Sequence, residues 1–153
     1  MPTLNYTTAV PVARTVSEIQ ELLVRHSASH VAIGYRDRLP VSVSFTLVSP
    51  HGKRIYSLPV DIDAVHHLLL AQVEAGELRS SPPKGGWATP QHAARVAWRV
   101  IKDWLEAQLA IIDAQMTTLD CVMLPYLHTG STDQRTLYEV YRAREQEALE
   151  VGS

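Results

Sequence analysis

Residues 89–116, TPQHAARVAWRVIKDWLEAQLAIIDAQM, contain the longest helical pattern in the chain, and the other elements are expected to pack around it. Thr89 followed by Pro90 predicts a helix start. A threonine hydroxyl can accept a hydrogen bond from an early backbone N–H, and a proline at the first helical position loses no bond. No glycine or proline follows until Pro125. At about 1.5 Å per residue the predicted helix spans roughly 40 Å, close to the width of a small domain.

The apolar residues of this stretch fall into two adjacent stripes at a spacing of three or four. One stripe contains Ala94, Ala97, Trp98, Ile101, Leu105 and Ile112, and the other contains Ala93, Val96, Val100, Trp104, Ala107 and Ile111. Together they form a wider apolar arc than a surface helix needs. The pattern predicts a long central helix that packs on two sides, with both tryptophans in the core.

A narrow polar stripe completes the helix and contains Arg95, Arg99, Lys102, Glu106 and Asp113. On it we expect two ion pairs four residues apart, Arg99 with Asp103 and Lys102 with Glu106.

Before the central helix, the sequence predicts an extended segment, then a helix and then strands. Residues 6–12 are predicted to be extended and form a candidate edge strand, since Pro11 cannot donate in the middle of a sheet. Thr15 and Glu18 have the spacing of a capping box, which predicts a helix over residues 15–27. Residues 1–14 are therefore expected to be an extended arm.

Three short apolar runs then predict an antiparallel meander over residues 30–35, 41–47 and 54–60. The middle run alternates cleanly between apolar and polar residues, and Tyr35 is expected on the apolar face with its neighbours. Asp61 and Asp63 follow the last strand. We interpret them as N-cap and first-turn acids of a helix over residues 62–74, in preference to metal ligands.

The remaining segments complete one α+β domain over residues 1–153. Residues 77–88, ELRSSPPKGGWA, are an irregular loop, and residues 135–150 form a heavily charged C-terminal helix. The predicted architecture is a three-stranded antiparallel meander covered by helices, with a long central helix.

Composition narrows the classes of function. The chain is 46% hydrophobic and 20% charged, which is ordinary globular material, and its single cysteine excludes an internal disulfide. We expect no signal peptide and no membrane association, because no apolar run reaches the necessary length.

The net charge of −2 divides into +4 over residues 1–102 and −6 over residues 103–153. The positive charge of the first segment is smaller than the clustered positive charge that general nucleic-acid-binding proteins carry.

Motifs of catalysis and metal binding are missing. The chain contains no G-x-S-x-G, G-x-G-x-x-G or H-E-x-x-H pattern. His26 and His30 have the spacing of a zinc-binding pair, but the predicted helix ends between them. We therefore expect no metal and no cofactor, and the balance leans against an enzyme. A scattered active site would leave no motif.

Nucleic-acid binding is an alternative that the sequence leaves open. The order helix, three strands, helix resembles that of double-stranded-RNA-binding domains, but Asp61 and Asp63 carry the wrong sign for phosphate contacts. The outward row of the second strand also lacks aromatic residues for base stacking. A smaller basic set remains, consisting of Arg36, Arg38, Lys53, Arg54, Lys84, Arg95, Arg99 and Lys102. If these residues share one face, they can follow a phosphate backbone; otherwise they are a solvated surface.

Residues 6–20, YTTAVPVARTVSEIQ, and residues 95–109, RVAWRVIKDWLEAQL, have a familiar pattern, which continues at residues 124–126 and 136–138. Together they resemble a family of small bacteriophage and prophage proteins of unassigned activity. The resemblance implies the cytoplasm of a bacterial host cell. It brings no cofactor or catalytic residue.

These observations support three hypotheses. The leading one is a non-enzymatic phage or prophage accessory protein that binds a host or defence protein, or another copy of itself, through Leu137, Tyr138 and Tyr141. The second is a nucleic-acid-binding accessory protein of phage replication or recombination that uses the basic set. The third is a small-molecule-binding protein or hydrolase. Its pocket is predicted between the 77–88 loop and the sheet, near Trp87, His92, Asp61 and Asp63.

Overall fold

A computed structural model describes residues 1–130 and 133–152. Its helices are α1 (Val12–Arg25), α2 (Ile62–Glu74), α3 (Pro90–Asp113), α4 (Leu119–Met123) and α5 (Leu137–Val151), and a 3-10 turn covers Leu124–Tyr126. Its strands are β1 (His30–Arg36), β2 (Leu39–Ser49) and β3 (Gly52–Ser57). The predicted α+β class, the three-stranded antiparallel meander and the long central helix are confirmed.

The central helix α3 begins where the sequence predicted. The Thr89 hydroxyl accepts a hydrogen bond from the backbone N–H of His92 at 3.1 Å, and Pro90 is the first helical residue. Trp98 is fully buried, and its indole N–H donates to the carbonyl oxygen of Pro40 at 2.9 Å. Trp104 packs against the core and meets the ring of Tyr126 edge-on. The core therefore lies around α3, which packs against α1, α2 and α4.

The polar stripe of α3 is less solvated than predicted, because neighbouring segments reach it. Arg99 forms an ion pair with Glu18 of α1 at 2.8 Å, and Asp103 accepts a hydrogen bond from the side-chain amide of Asn5 at 2.7 Å. The predicted pair between Arg99 and Asp103 is therefore wrong, whereas Lys102 does pair with Glu106. The half-buried guanidinium of Arg99 therefore pairs with an acid of another helix instead of the acid four residues along its own helix.

The contact with Arg99 changes the pKa of Glu18. Burial acts to raise the pKa of Glu18. The hydrogen bond and charge of Arg99, the charge of Lys102 and the hydrogen bond from Arg14 outweigh burial and lower that pKa. The carboxylate is consequently held ionised between α1 and α3.

The sheet has the order β1-β2-β3, and its apolar face carries the stacked rings of Phe45 and Tyr56, 5.2 Å apart. The register of β1 against β2 shifts between Gly34 and Tyr35. Such an irregularity increases the local twist and bends the strand. Tyr35 is 64% exposed as a result, so its prediction on the buried face is wrong.

The candidate edge strand at residues 6–12 is not formed, since the described sheet contains only the three strands above. Helix α1 begins at Val12, directly after Pro11. Thr15 is therefore inside the helix and buried, which makes the predicted capping box wrong. The earlier start also shortens the predicted extended arm.

Side-chain hydrogen bonds hold the N-terminal segment instead of a sheet edge. The buried Gln72 of α2 accepts from the backbone N–H and the hydroxyl of Thr3, at 3.2 and 2.7 Å. The Gln72 side-chain amide also donates to the carbonyl oxygen of Met1 at 2.9 Å. The segment thus crosses α2 and α3, with its polar groups satisfied by helices.

The chain after α3 closes the open side of β3. Leu127 forms an isolated antiparallel bridge with Tyr56, and the backbone N–H of His128 donates to the carbonyl oxygen of Ile55 at 2.8 Å. Helix α5 then packs mainly on the 3-10 turn, and none of its residues is buried. In the described part of the chain, no helix combines the length and apolarity that crossing a bilayer requires.

Candidate functional site

The three predicted contact residues lie together in an apolar groove between α5 and the 3-10 turn, here called the α5 groove. Its volume is about 430 Å³, and it is lined by Leu124, Pro125, Leu137, Tyr138, Val140, Tyr141 and Arg144. Leu137, Tyr138 and Tyr141 are 39%, 52% and 58% exposed. Apolar and aromatic side chains in a concave, accessible arrangement are typical of a protein-binding surface.

A capped helix start holds the groove in shape. The Thr136 hydroxyl accepts from the backbone N–H of Glu139 at 3.3 Å and donates to the Glu139 carboxylate at 3.1 Å. The backbone N–H of Leu137 donates to the carbonyl oxygen of Leu127 at 2.8 Å. These bonds connect the first turn of α5 to the segment that covers β3, so the groove has a rigid end.

Carboxylates already neutralise several members of the basic set. Arg36 pairs with Asp63 at 3.2 Å, while Arg99 and Lys102 pair with Glu18 and Glu106. These partners come from α2, α1 and α3 itself, which lowers the positive charge available to a phosphate backbone.

The basic residues also border different clefts. Arg36 and Arg38 border one cleft together with Asp37 and Asp63, and Lys53 and Arg54 border a second one. Arg95 borders a third cleft, and Lys84 is exposed in the 77–88 loop.

The third cleft, here called the N-terminal cleft, has a volume of about 400 Å³ and lies between the N-terminal segment and the 77–88 loop. It is lined by Thr7, Thr8, Ala9, Pro11, Ser81, Pro83, Trp87, His92 and Arg95. The predicted neighbourhood of Trp87 and His92 therefore contains a cleft, although its second wall is the N-terminal segment and not the sheet.

The two aspartates predicted beside that pocket lie elsewhere. Asp61 caps α2 by accepting a hydrogen bond from the backbone N–H of Ala64 at 3.0 Å, as the N-cap interpretation predicted. Asp63 pairs with Arg36 and borders the cleft of Arg36 and Arg38. Among the residues that the structure describes, none with an acidic side chain lines the N-terminal cleft.

Within this cleft His92 is 1% exposed and its hydrogen bonds define its tautomer. The Nε2 atom lies 2.6 Å from the carbonyl oxygen of Tyr6 and must donate to it. The Nδ1 atom lies 3.1 Å from a guanidinium nitrogen of Arg95 and must accept. Burial lowers the pKa of His92, and the charge of Arg95 lowers it further against the opposing effect of the Tyr6 carbonyl. A neutral imidazole therefore orients Arg95.

The histidine pair considered for metal binding is engaged in other contacts. His26 lies 3.0 Å from the Asp113 carboxylate through Nε2 and 2.8 Å from the carbonyl oxygen of Leu22 through Nδ1. His30 lies 3.0 Å from the hydroxyl of Ser29. Among the described residues, no group of three or more histidine, cysteine, aspartate or glutamate side chains is arranged to hold a metal ion.

One polar pair was not anticipated from the sequence. The Ser57 hydroxyl and Nε2 of His128 lie 2.6 Å apart at the end of β3. An activated serine needs a third group that orients the imidazole, and no side chain within residues 1–130 and 133–152 forms a hydrogen bond with Nδ1 of His128. The pair joins β3 to the segment that covers it.

Sequence reasoning missed the role of Gln72 and the hydrogen bond from Arg95 to His92. Nothing in the local pattern distinguishes Gln72 from a surface glutamine of α2. For Arg95 a signal existed, because positions 91, 92, 98 and 99 on the same helix face are not acidic. An arginine without an intrahelical acid is a reasonable place to look for another anion.

No protein-family model, curated protein or solved structure matches this chain, so the resemblance to phage and prophage proteins stays a prediction.

Proposed function

We propose that the protein acts without catalysis, by binding a macromolecular partner in the α5 groove. The observation that carries the proposal is the apolar side of α5, where Leu137, Tyr138 and Tyr141 meet the 3-10 turn and remain accessible. Helix α5 contributes no buried residue to the core, so folding alone does not account for two adjacent tyrosines and a leucine on one side of it.

The shape and charge of the groove favour one class of partner. A groove beside a helix accepts the apolar face of an amphipathic helix, whose anchors recur every three or four residues. Residues 103–153 carry a charge of −6, and α5 itself contains four glutamates against two arginines. We therefore propose a partner helix with apolar anchors and basic flanking residues, since complementary charge steers association.

The resemblance to phage and prophage proteins is the guide to the partner's identity. On that basis we propose a host or defence protein in the bacterial cytoplasm.

The test is a double variant, Tyr138→Ser with Tyr141→Ser, matched by the control Tyr35→Ser. Tyr35 is an equally exposed tyrosine on β1, far from the groove in the sequence. Tagged proteins are used to capture partners from bacterial cells, with and without nuclease, and each captured protein is then titrated against the purified chain. Aromatic anchors at the centre of an interface commonly contribute about 2 kcal/mol or more each. We expect the double variant to bind at least about tenfold more weakly, while the control binds normally.

Three outcomes contradict the proposal. Equal affinity for the double variant removes the α5 groove from the interface. Capture that vanishes with nuclease favours the nucleic-acid alternative. A homodimer in sedimentation velocity that the double variant loses assigns the groove to self-association.

A further inference from the structure

Arg95 carries a positive charge that no described carboxylate neutralises. The other basic residues of α3, Arg99 and Lys102, both form ion pairs, whereas Arg95 forms none with any acid in residues 1–130 and 133–152. Its one side-chain hydrogen bond goes to Nδ1 of His92, which uses one of its five N–H donors. The guanidinium is half-buried and lines the N-terminal cleft. The side chain of Arg95 is therefore a cation that His92 holds in place and whose remaining N–H groups can donate hydrogen bonds to a ligand.

The rest of the cleft combines hydroxyl groups with an apolar wall. Thr7, Thr8 and Ser81 line the cleft together with Arg95, and Pro83 and Trp87 supply an apolar surface. Trp87 is buried and meets the ring of Tyr6 edge-on, with 5.1 Å between ring centroids. A cleft of about 400 Å³ lies within the usual range for small-molecule sites.

Hydrogen bonds hold both walls of the cleft. The Tyr6 hydroxyl lies 3.1 Å from the hydroxyl of Ser80, which joins the N-terminal segment to the 77–88 loop. The side-chain amide of Asn5 donates a hydrogen bond to the Asp103 carboxylate, and the carbonyl oxygen of Tyr6 accepts one from Nε2 of His92. The cleft therefore exists before any ligand enters, and a ligand would not have to order it.

From this arrangement we propose that the N-terminal cleft binds a small organic anion. Arg95 pairs with the carboxylate or phosphate of the ligand, because a guanidinium presents a planar fork of donors that matches either group. The apolar body of the ligand lies against Trp87 and Pro83. This site is separate from the α5 groove, and it does not depend on the proposed partner binding.

The proposal is tested by NMR titration of the ¹⁵N-labelled full chain, read at the indole N–H of Trp87. Benzoate and phenyl phosphate test the two anionic groups, benzamide is the neutral match of benzoate, and inorganic phosphate is an anion without an apolar body. We expect saturable shifts with benzoate or phenyl phosphate and at least tenfold weaker binding of benzamide and inorganic phosphate. Which of the two aromatic anions binds more tightly identifies the preferred head group.

Substitutions of Arg95 test whether this residue supplies the positive charge that binds the anion. Arg95→Gln is expected to weaken binding of the preferred anion by about tenfold or more, as the loss of a charged hydrogen bond does. Arg25→Gln removes the same charge from an exposed position at the end of α1 and is expected to bind like the wild type. If Arg95→Gln does not fold, Arg95→Lys retains a charge without the planar fork and is expected to bind more weakly than the wild type.

Several results overturn the proposal. They are equal binding of benzamide and benzoate, equal binding of inorganic phosphate and the aromatic anions, or an unchanged affinity in the Arg95 variants. Absence of saturable shifts with every probe at 20-fold excess over the highest protein concentration also overturns it.

Discussion

Acidification should destabilise this protein through His92, the buried imidazole of the N-terminal cleft. In the folded protein a second proton on Nδ1 would break the hydrogen bond from Arg95 and place two positive charges side by side. Burial and this neighbouring charge lower the pKa of His92 from its ordinary value of 6.5. The unfolded chain takes up the proton more readily than the folded protein. The stability contributed by the neutral imidazole is therefore fully present above about pH 6.5 and is lost as the pH falls.

The size of the effect has an upper limit. One proton that binds only to the unfolded chain changes the free energy of unfolding by about 1.4 kcal/mol per pH unit below pH 6.5. Between pH 7.5 and 5.5, His92 can therefore reduce stability by at most about 1.4 kcal/mol.

Urea unfolding at pH 7.5, 6.5 and 5.5 measures this loss, with His92→Gln as the variant and His51→Gln as the control. Glutamine stays neutral over this range and its amide can donate to the Tyr6 carbonyl, whereas His51 is exposed in the β2–β3 turn. We expect a shallower pH dependence for His92→Gln than for the wild type and an unchanged one for His51→Gln. Identical pH dependences for the wild type and His92→Gln would show that His92 does not cause the loss of stability.

Three further substitutions test contacts that hold the fold, each by urea unfolding unless stated. Trp98→Phe removes the donor to the Pro40 carbonyl and leaves a small void, so we expect a loss of about 2–4 kcal/mol; a loss below 1 kcal/mol counts against this bond. Thr15→Val removes a buried hydroxyl that has no hydrogen-bond partner in the described chain, so we expect equal or higher stability, and a clear loss would reveal a missed partner. Gln72→Leu frees Thr3, so faster hydrogen exchange is expected in residues 3–8, and unchanged exchange would show that this anchor is dispensable.

Local patterns were sufficient for the main elements. The Thr89 cap, the Asp61 cap and the burial of Trp98 follow from residue types and from helical spacing, and all three are confirmed. The same is true of the antiparallel meander, because alternation of apolar and polar residues requires only that one face be covered.

Two predictions that were based on spacing within one helix were wrong. Thr15 has the spacing of a cap, but Val12 already continues the helix from Pro11. Arg99 has an acid four residues away, but Glu18 of α1 reaches it first. For Arg99 the local rule competed with a contact between segments far apart in the chain, and that contact was decisive. Thr15 lost its cap position because the helix already begins at Val12.

The candidate sites divide in the same way. The apolar side of α5 follows from the amino-acid sequence, because Leu137, Tyr138 and Tyr141 are close neighbours on one helix. So do the two packed sides of α3, which depend only on helical periodicity. The position of the N-terminal segment across α2 and α3, where it forms one wall of the N-terminal cleft, is set by tertiary contacts. That wall depends on a glutamine and a histidine that bond backbone atoms about 70 and 86 residues away, and no local pattern encodes such distances.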